Sequence, residues 1–537
     1  MLAATSSFEH RALSRVTFGA RNVEVAAVRQ SSWPWWVQAQ LNPPPGDEPR
    51  IDEHLRARSL HIAYAVQLPS GKSPGWPAVH ERRALRYLYT DLPTIWRIIS
   101  KTEISIAPNE RHRIQQELNV ATWIRNAHSR YQLREFMADF WANHFNVGRQ
   151  EDIYAAAALI TYENEVIRPN VFGNFRTFLE AVATSASMLR YLNNAESKAS
   201  KPTENFAREL LELHTLGASV YRGVSADAPI HSVQAGPFTA AALFTDQDVV
   251  AAARAFSGWT LEQGQDGPRG PLPFTGRFIY NPLQHNTEAR LFMGVDISGH
   301  AAFQAPMGQG RMILDILAAH PATARFMCLK ICRRIFGDSP PQNVVDRAVA
   351  VWSAHVAAPD QIKRVLSEIL LSPEMGNPPS KLRRPYERLI ALFRTTDTIL
   401  NAYDEAHTAL YGLGDGLYAW PTPDGRPDND AYWLSSAGNH HFWNVMFEVL
   451  VHPSFRTSFW EQTPASVRGS AIQLVEYWVG RMVGYSLPPA SMDALVKDVS
   501  TSPGVMAAYA SQGITNIENA LRRLALLIAT SPEFAMR

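Results

Sequence analysis

The segment Glu204-Asn-Phe-Ala-Arg-Glu-Leu-Leu-Glu-Leu-His-Thr-Leu-Gly217 holds the densest set of side chains able to do chemistry. At about 100° per residue, Asn205, Arg208, Glu209 and Glu212 fall on one narrow stripe of a helix. Phe206, Ala207, Leu210, Leu211 and Leu213 cover the rest of the cylinder. A helix apolar around most of its circumference is expected to be buried, so its charged stripe must face a partner, a metal or a ligand. Glu209 or Glu212, with a pKa raised by burial, would suit a general base. Arg208 would hold an anionic group of a substrate or pair with a carboxylate. The same residues also fit an internal Arg208–Glu212 pair at i,i+4, which fixes packing without chemistry. His214 lies nearly opposite the stripe, and Gly217 marks the helix end.

Two further histidines stand in distinctive settings. His144 and Asn143 lie among aromatics in Phe140-Trp-Ala-Asn-His-Phe-Asn146, and His285 sits in the loop Tyr280-Asn-Pro-Leu-Gln-His-Asn-Thr-Glu288. With the two carboxylates, His144, His214 and His285 supply the donor types that zinc, iron or manganese take. No HExxH pattern occurs, so such a divalent-metal site would be assembled from distant segments. Asn143, Asn205 and Trp259 are the candidate substrate contacts. The alternatives are a satisfied core histidine at 144 and a solvated loop histidine at 285. GxGxxG and GxxxxGK[ST] are absent, so no nucleotide-cofactor motif is present. His440-His441 and the Trp33-Pro34-Trp35-Trp36 cluster read as packing.

The elements that must position these residues are helical. Apolar residues recur at helical spacing over 110–145, 153–168, 174–192, 202–216, 246–258, 309–319, 321–336, 342–355, 359–371, 383–402, 440–450, 465–481 and 515–530. Alternating patterns are confined to about 274–280 and 290–295. The expected fold is mainly α: a large multi-helix globular bundle with long Pro/Gly-rich loops at 42–49, 68–77, 262–276 and 420–430. Leu371-Ser-Pro-Glu-Met375 and Thr530-Ser-Pro-Glu-Phe534 each read as a fresh helical turn capped by serine. A soft boundary falls near residue 300, between 1–300, which holds the candidate site, and a plainer 301–537.

Composition narrows the classes. Apolar residues make up 46% of 537, enough for a large core, and 14 tryptophans call for a buried aromatic core or an aromatic-lined cleft. Fifty-one basic against fifty acidic side chains give a formal charge of +1, which argues against a general nucleic-acid coat or a polybasic membrane anchor. Cys328 and Cys332 exclude a disulfide framework and read as buried thiols. No stretch reaches the ~20 apolar residues of a membrane span. The first twenty residues lack the apolar core of a signal peptide, so a cytoplasmic location is expected.

Several phrases together resemble a bacterial family known as domain of unknown function 1800. They are His10-Arg-Ala-Leu-Ser-Arg-Val-Thr-Phe-Gly19, Phe140-Trp-Ala-Asn-His-Phe145, Glu163-Asn-Glu-Val-Ile-Arg-Pro169, Asn174-Phe-Arg-Thr-Phe-Leu-Glu-Ala-Val-Ala-Thr-Ser185, the 204–217 segment, Ala253-Arg-Ala-Phe-Ser-Gly-Trp-Thr260 and Thr530-Ser-Pro-Glu-Phe534. The resemblance implies one family unit over 1–537 and assigns no activity. It also implies a neighbouring sulfatase-like or phosphatase-like gene product as a partner, and export of many relatives. Where the family pattern has a second histidine this chain has Ala142. Where it has His-Asp followed by glycine and lysine, the chain has His285-Asn286 with Glu288 and Arg290.

Two readings follow. The first is a hydrolytic or oxidative enzyme whose buried centre combines His144, Arg208, Glu209, Glu212, His214 and His285, with or without a divalent metal. The second is a non-catalytic scaffold in which the polar centre is a structural network and the loops bind a protein partner.

Overall fold

The computed structural model describes residues 2–3, 5–100, 105–148, 152–224, 231–268, 270–288, 291–298, 305–400, 414–451, 455–456, 458–501 and 514–537. The chain is mainly α, with short antiparallel strand pairs. The periodic run at 321–336 is a helix over Pro321–Phe336, opened by proline in its first turn and by the His320 side chain, which accepts from the Ala322 amide. Gly308–Ala319, Gln342–Ala354 and Gln361–Leu370 likewise follow their apolar periods. The second Ser-Pro-Glu phrase is a capped turn, with Ser531 Oγ accepting from the Phe534 amide at 3.3 Å. At the first, Ser372 starts a short helix over Pro373–Gly376 without a side-chain cap.

Three apolar runs are interrupted for identifiable reasons. The 110–145 run divides into Pro108–His128 and Gln132–His144 because Glu48 accepts the Ser129 hydroxyl and the Arg130 amide, leaving that corner's donors satisfied outside a helix. The 153–168 and 202–216 runs pass through π-helical turns at Tyr162–Ile167 and Leu210–Thr215. In the second of these, Leu216 and Gly217 both donate to the Leu211 carbonyl. Such a turn holds an extra residue and re-aims the side chains that follow it. The 383–402 run is helical only over Pro385–Thr395, and residues 401–402 lie outside the described residues.

The strand at Phe274–Tyr280 pairs with Trp259–Gln263. The hairpin Ser59–Tyr64/Val79–Ala84 has no counterpart in the sequence expectation. Its second strand, VHERRA, is exposed at His80, Glu81, Arg82 and Ala84 and shows no alternation to read. One contiguous apolar core includes residues from both sides of position 300, with Trp96, Trp123, Trp141, Trp259, Trp352 and Trp478 fully buried in it. Cys328 and Cys332 are both buried free thiols. Among the described residues no single helix is long and apolar enough to cross a membrane.

Candidate functional site

The C-terminal half of the Gln132–His144 helix carries polar side chains into the core. Asp139 is their hub: its two oxygens take Arg334 at 2.9 Å, Arg384 at 2.6 Å and Arg426 at 2.8 Å. Burial opposes its charge, but the three guanidiniums prevail and hold the carboxyl down at about 2. Glu387 binds Arg334, Arg384 and Arg537 beside it, and Asp415 binds Arg426 at 3.2 Å. This lattice anchors the segment 415–428 across the helix end. Asn143 accepts from the Arg426 amide at 2.8 Å and donates to its carbonyl at 3.1 Å, while Asn146 donates to the carbonyls of Trp420 and Thr422. Gly425, at φ +75, comes so close that a Cβ there would lie 2.3 Å from the Asn143 carbonyl oxygen.

Two small cavities flank Asp139, each of about 20 Å³, room for a water. One is bordered by Asn143, His144, Lys330, Arg334, Arg384 and Asp428 as well as Asp139. Here His144 Nε2 donates to the His214 carbonyl at 3.2 Å, so its Nδ1 accepts from Lys330 Nζ at 3.0 Å. Burial drives the His144 ring well below its ordinary pKa, with the Lys330 charge adding to it. Burial also pulls Lys330 down to about 8, against the attraction of Asp428 and Asp424. No carboxylate of the described residues lies within ion-pairing distance of Nζ. Among the described residues the Nε–H groups of Arg334 and Arg384 are buried without an acceptor. His214 is fully buried, neither ring nitrogen has a hydrogen-bond partner among the described residues, and burial lowers it to about 3.

The second cavity is bordered by Ala142, Asn146, Glu163, Arg168, Tyr418 and Arg426 among others. Tyr418 donates to Glu163 Oε2 at 3.1 Å. Burial raises the Glu163 carboxyl to about 7, despite Arg168 and Arg125 nearby. Ala142, with only a methyl side chain, borders this cavity on the same helix as Asp139.

The structure brings together part of the expected centre. His144 and His214 have ring centroids 6.2 Å apart, and Asn143 sits beside them. His285 is engaged elsewhere, by the Ser257 carbonyl at 2.9 Å and Gln309 at 3.0 Å. Asn286 is tied into the same loop by Ser257, Ala199 and Glu288, and Arg290 lies outside the described residues. Among the described residues no group of three His, Cys, Asp or Glu side chains is placed to hold a metal ion. The 204–217 stripe is not sealed in the interior. Asn205 is exposed, and Arg208 is one-third exposed in a network with Glu204, Glu212 and Asp246. The apolar cylinder is real, but its polar edge emerges at the surface, beside the start of the Asp246–Ala255 helix. Glu209 is half-buried and raised by burial, then by Glu212 and by Asp424 of the covering segment, so it borders the lid rather than the cavities. Trp259 is fully buried, edge-on to Phe256 and Phe278, and borders neither cavity. His440 and His441 are exposed. Lys330, Asp139, Glu163 and Arg426 escaped the sequence reading: Lys330 and Asp139 sit in ordinary amphipathic helices, and Arg426 in a loop with no periodicity. The one available signal was Glu163-Asn-Glu-Val-Ile-Arg-Pro169, quoted for the family and not for chemistry.

The phrases that resembled a family run through this centre, from the Gln132–His144 helix to both π-helical turns. The chain belongs to that family. Its profile, described as protein of unknown function (DUF1800), matches residues 11–536. No curated protein and no solved structure matches the chain.

Proposed function

We propose that the chain is an enzyme whose reacting group is the Lys330 amine, held by His144 beneath the 415–428 segment, and that it catalyses a hydrolysis. The observation that carries this reading is the 3.0 Å contact from Lys330 Nζ to His144 Nδ1, with no ion-paired carboxylate among the described residues. A buried lysine serving structure alone is ordinarily paired. An amine titrating near 8 is partly free base at neutral pH and suits general-base work. In the proposed step Lys330 takes a proton from a water in the adjoining cavity. The water oxygen then attacks the electrophilic centre of an ester, and the developing negative charge meets the unpartnered Nε–H groups of Arg334 and Arg384. The bond to the ester's alcohol oxygen then breaks, and the departing oxygen takes the proton from the Lys330 ammonium, which restores the free amine. The cavity admits water and not substrate, so the 415–428 segment must lift before the substrate enters.

The test is a panel of carboxylic, phosphate and sulfate esters assayed from pH 6 to 9 with the wild type, Lys330→Met and His144→Gln. Turnover that rises through about pH 8 and vanishes in Lys330→Met supports the reading. Turnover retained in both variants, or none with any ester, refutes it. The water-sized cavities favour a second reading, a non-catalytic scaffold, whose mark would be no turnover together with a co-purifying protein partner.

A further inference from the structure

A cleft of 710 Å³, within the range of small-molecule sites, does not reach Lys330 and shares only Arg168 with the two cavities beside Asp139. Pro43, Leu88, Tyr89, Pro169 and Phe172 supply apolar lining to it. Its floor is cationic. Arg125, Arg134 and Arg168 line it, with side chains only 5%, 5% and 9% exposed, and Lys363 stands at the edge. Asp47 binds both Arg125 and Arg168 from within the cleft, and the carbonyls of Pro44 and Gly46 fix Arg134 at 3.2 and 2.6 Å. The other balancing carboxylates, Glu135 and Glu48, are buried and do not line the cleft. Four cations therefore border the cleft against Asp47 and Asp360. Among the described residues Arg125 Nη1 and Arg134 Nη2 are buried with no hydrogen-bond acceptor, although Arg134 Nη2 stands 3.9 Å from Glu48 Oε1. Buried guanidinium N–H groups without acceptors mark a place where an acceptor is missing.

We propose that this cleft is a binding site for a small organic anion, an apolar body carrying a carboxylate or phosphate. The anionic oxygens would complete the arginine donors, and the body would lie against Pro43, Tyr89 and Phe172. A neutral apolar ligand would leave the donors unmatched, and an inorganic anion would leave the walls wet. The inference stands whether or not Lys330 is catalytic.

The experiment is calorimetric titration of the full chain with phenyl phosphate, phenylacetate, inorganic phosphate and benzyl alcohol at low and high salt, repeated on Lys363→Glu and Tyr89→Ala. Phenyl phosphate or phenylacetate should bind at one site with a millimolar or tighter Kd, and whichever binds more tightly identifies the anionic group. Benzyl alcohol and inorganic phosphate should each bind about tenfold more weakly, or not at all. Lys363→Glu should weaken the aromatic anion roughly fivefold at low salt and less at high salt. Tyr89→Ala, at an exposed position, should weaken it without altering the salt dependence. Equal binding of benzyl alcohol, no binding of either aromatic anion, or binding indifferent to both substitutions would each overturn the assignment.

Discussion

Replacing Lys330 by methionine keeps an unbranched chain of similar length and removes the amine. In the folded protein Lys330 titrates at about 8 against an ordinary 10.5, chiefly through burial. A fall of that size amounts to about 3 kcal/mol, at roughly 1.4 kcal/mol for each tenfold change in proton affinity. Lys330 as a whole residue is partly exposed, so solvent screening reduces the figure to about 1–3 kcal/mol. The sign follows from linkage. Below pH 8 the lysine is protonated in both folded and unfolded chains, and the folded state carries the full penalty of a desolvated ammonium. As pH rises from 8 to 10.5 the folded chain gives up its proton first and the penalty disappears. The wild type should thus gain stability relative to Lys330→Met by about 1–3 kcal/mol between pH 7 and 10.5. Packing and the lost hydrogen bond to His144 enter at both pH values and largely cancel in that difference. The assay is urea unfolding followed by tryptophan fluorescence for both proteins at pH 7, 8.5 and 10.5, comparing midpoints and slopes because a chain of this size need not unfold in two states. A difference that stays flat within about 0.5 kcal/mol would mean that Lys330 is solvated, and the argument for a free amine near neutral pH would fall with it.

Other perturbations test the rest of the centre. Glu163→Gln should remove a stability loss of about 3 kcal/mol that the wild type suffers as pH rises from 4.5 to about 7, because burial favours the protonated carboxyl; superimposable pH–stability curves for the two proteins would contradict that. Asp139→Asn should destabilise by about 3–5 kcal/mol at pH 7, since three buried guanidiniums lose their shared charge, and a shift in urea midpoint worth under 1 kcal/mol would argue against the hub. Gly425→Ala should lift the 415–428 segment off Asn143 at a penalty of roughly 1–3 kcal/mol, seen as faster proteolytic cleavage there; unchanged protection would mean the segment is not clamped. Arg208→Ala should change stability by less than about 1 kcal/mol, as a partly exposed ion pair does, and should leave any ester turnover intact; loss of turnover would return the 204–217 stripe to the active centre.

The helices were legible in the sequence because burying one face of a helix imposes a 3.6-residue period that local residues must obey. Pro321–Phe336 and Gln342–Ala354 can be read to within a residue or two. The resemblance likewise lay in local phrases, and it placed the chain in its family. Local rules also suggested His144, which lies among aromatics, and His214, which follows an apolar helical run. They could not reveal that the ring of one would bond the main-chain carbonyl of the other, because that meeting joins segments 70 positions apart. Nor could they tell the charged stripe at 204–212 from the charges around Asp139. A helical wheel reports which residues share a face, and only neighbouring elements decide whether that face meets solvent. The wheel also assumes 3.6 residues per turn, an assumption that fails at Leu210–Thr215. The sequence by itself determined the helical class, the family and the buried character of the core. The tertiary structure decided where charge is desolvated, bringing Lys330, Asp139 and Arg426 together from positions nearly 300 residues apart, because desolvation depends on the summed packing of distant segments and leaves no local period.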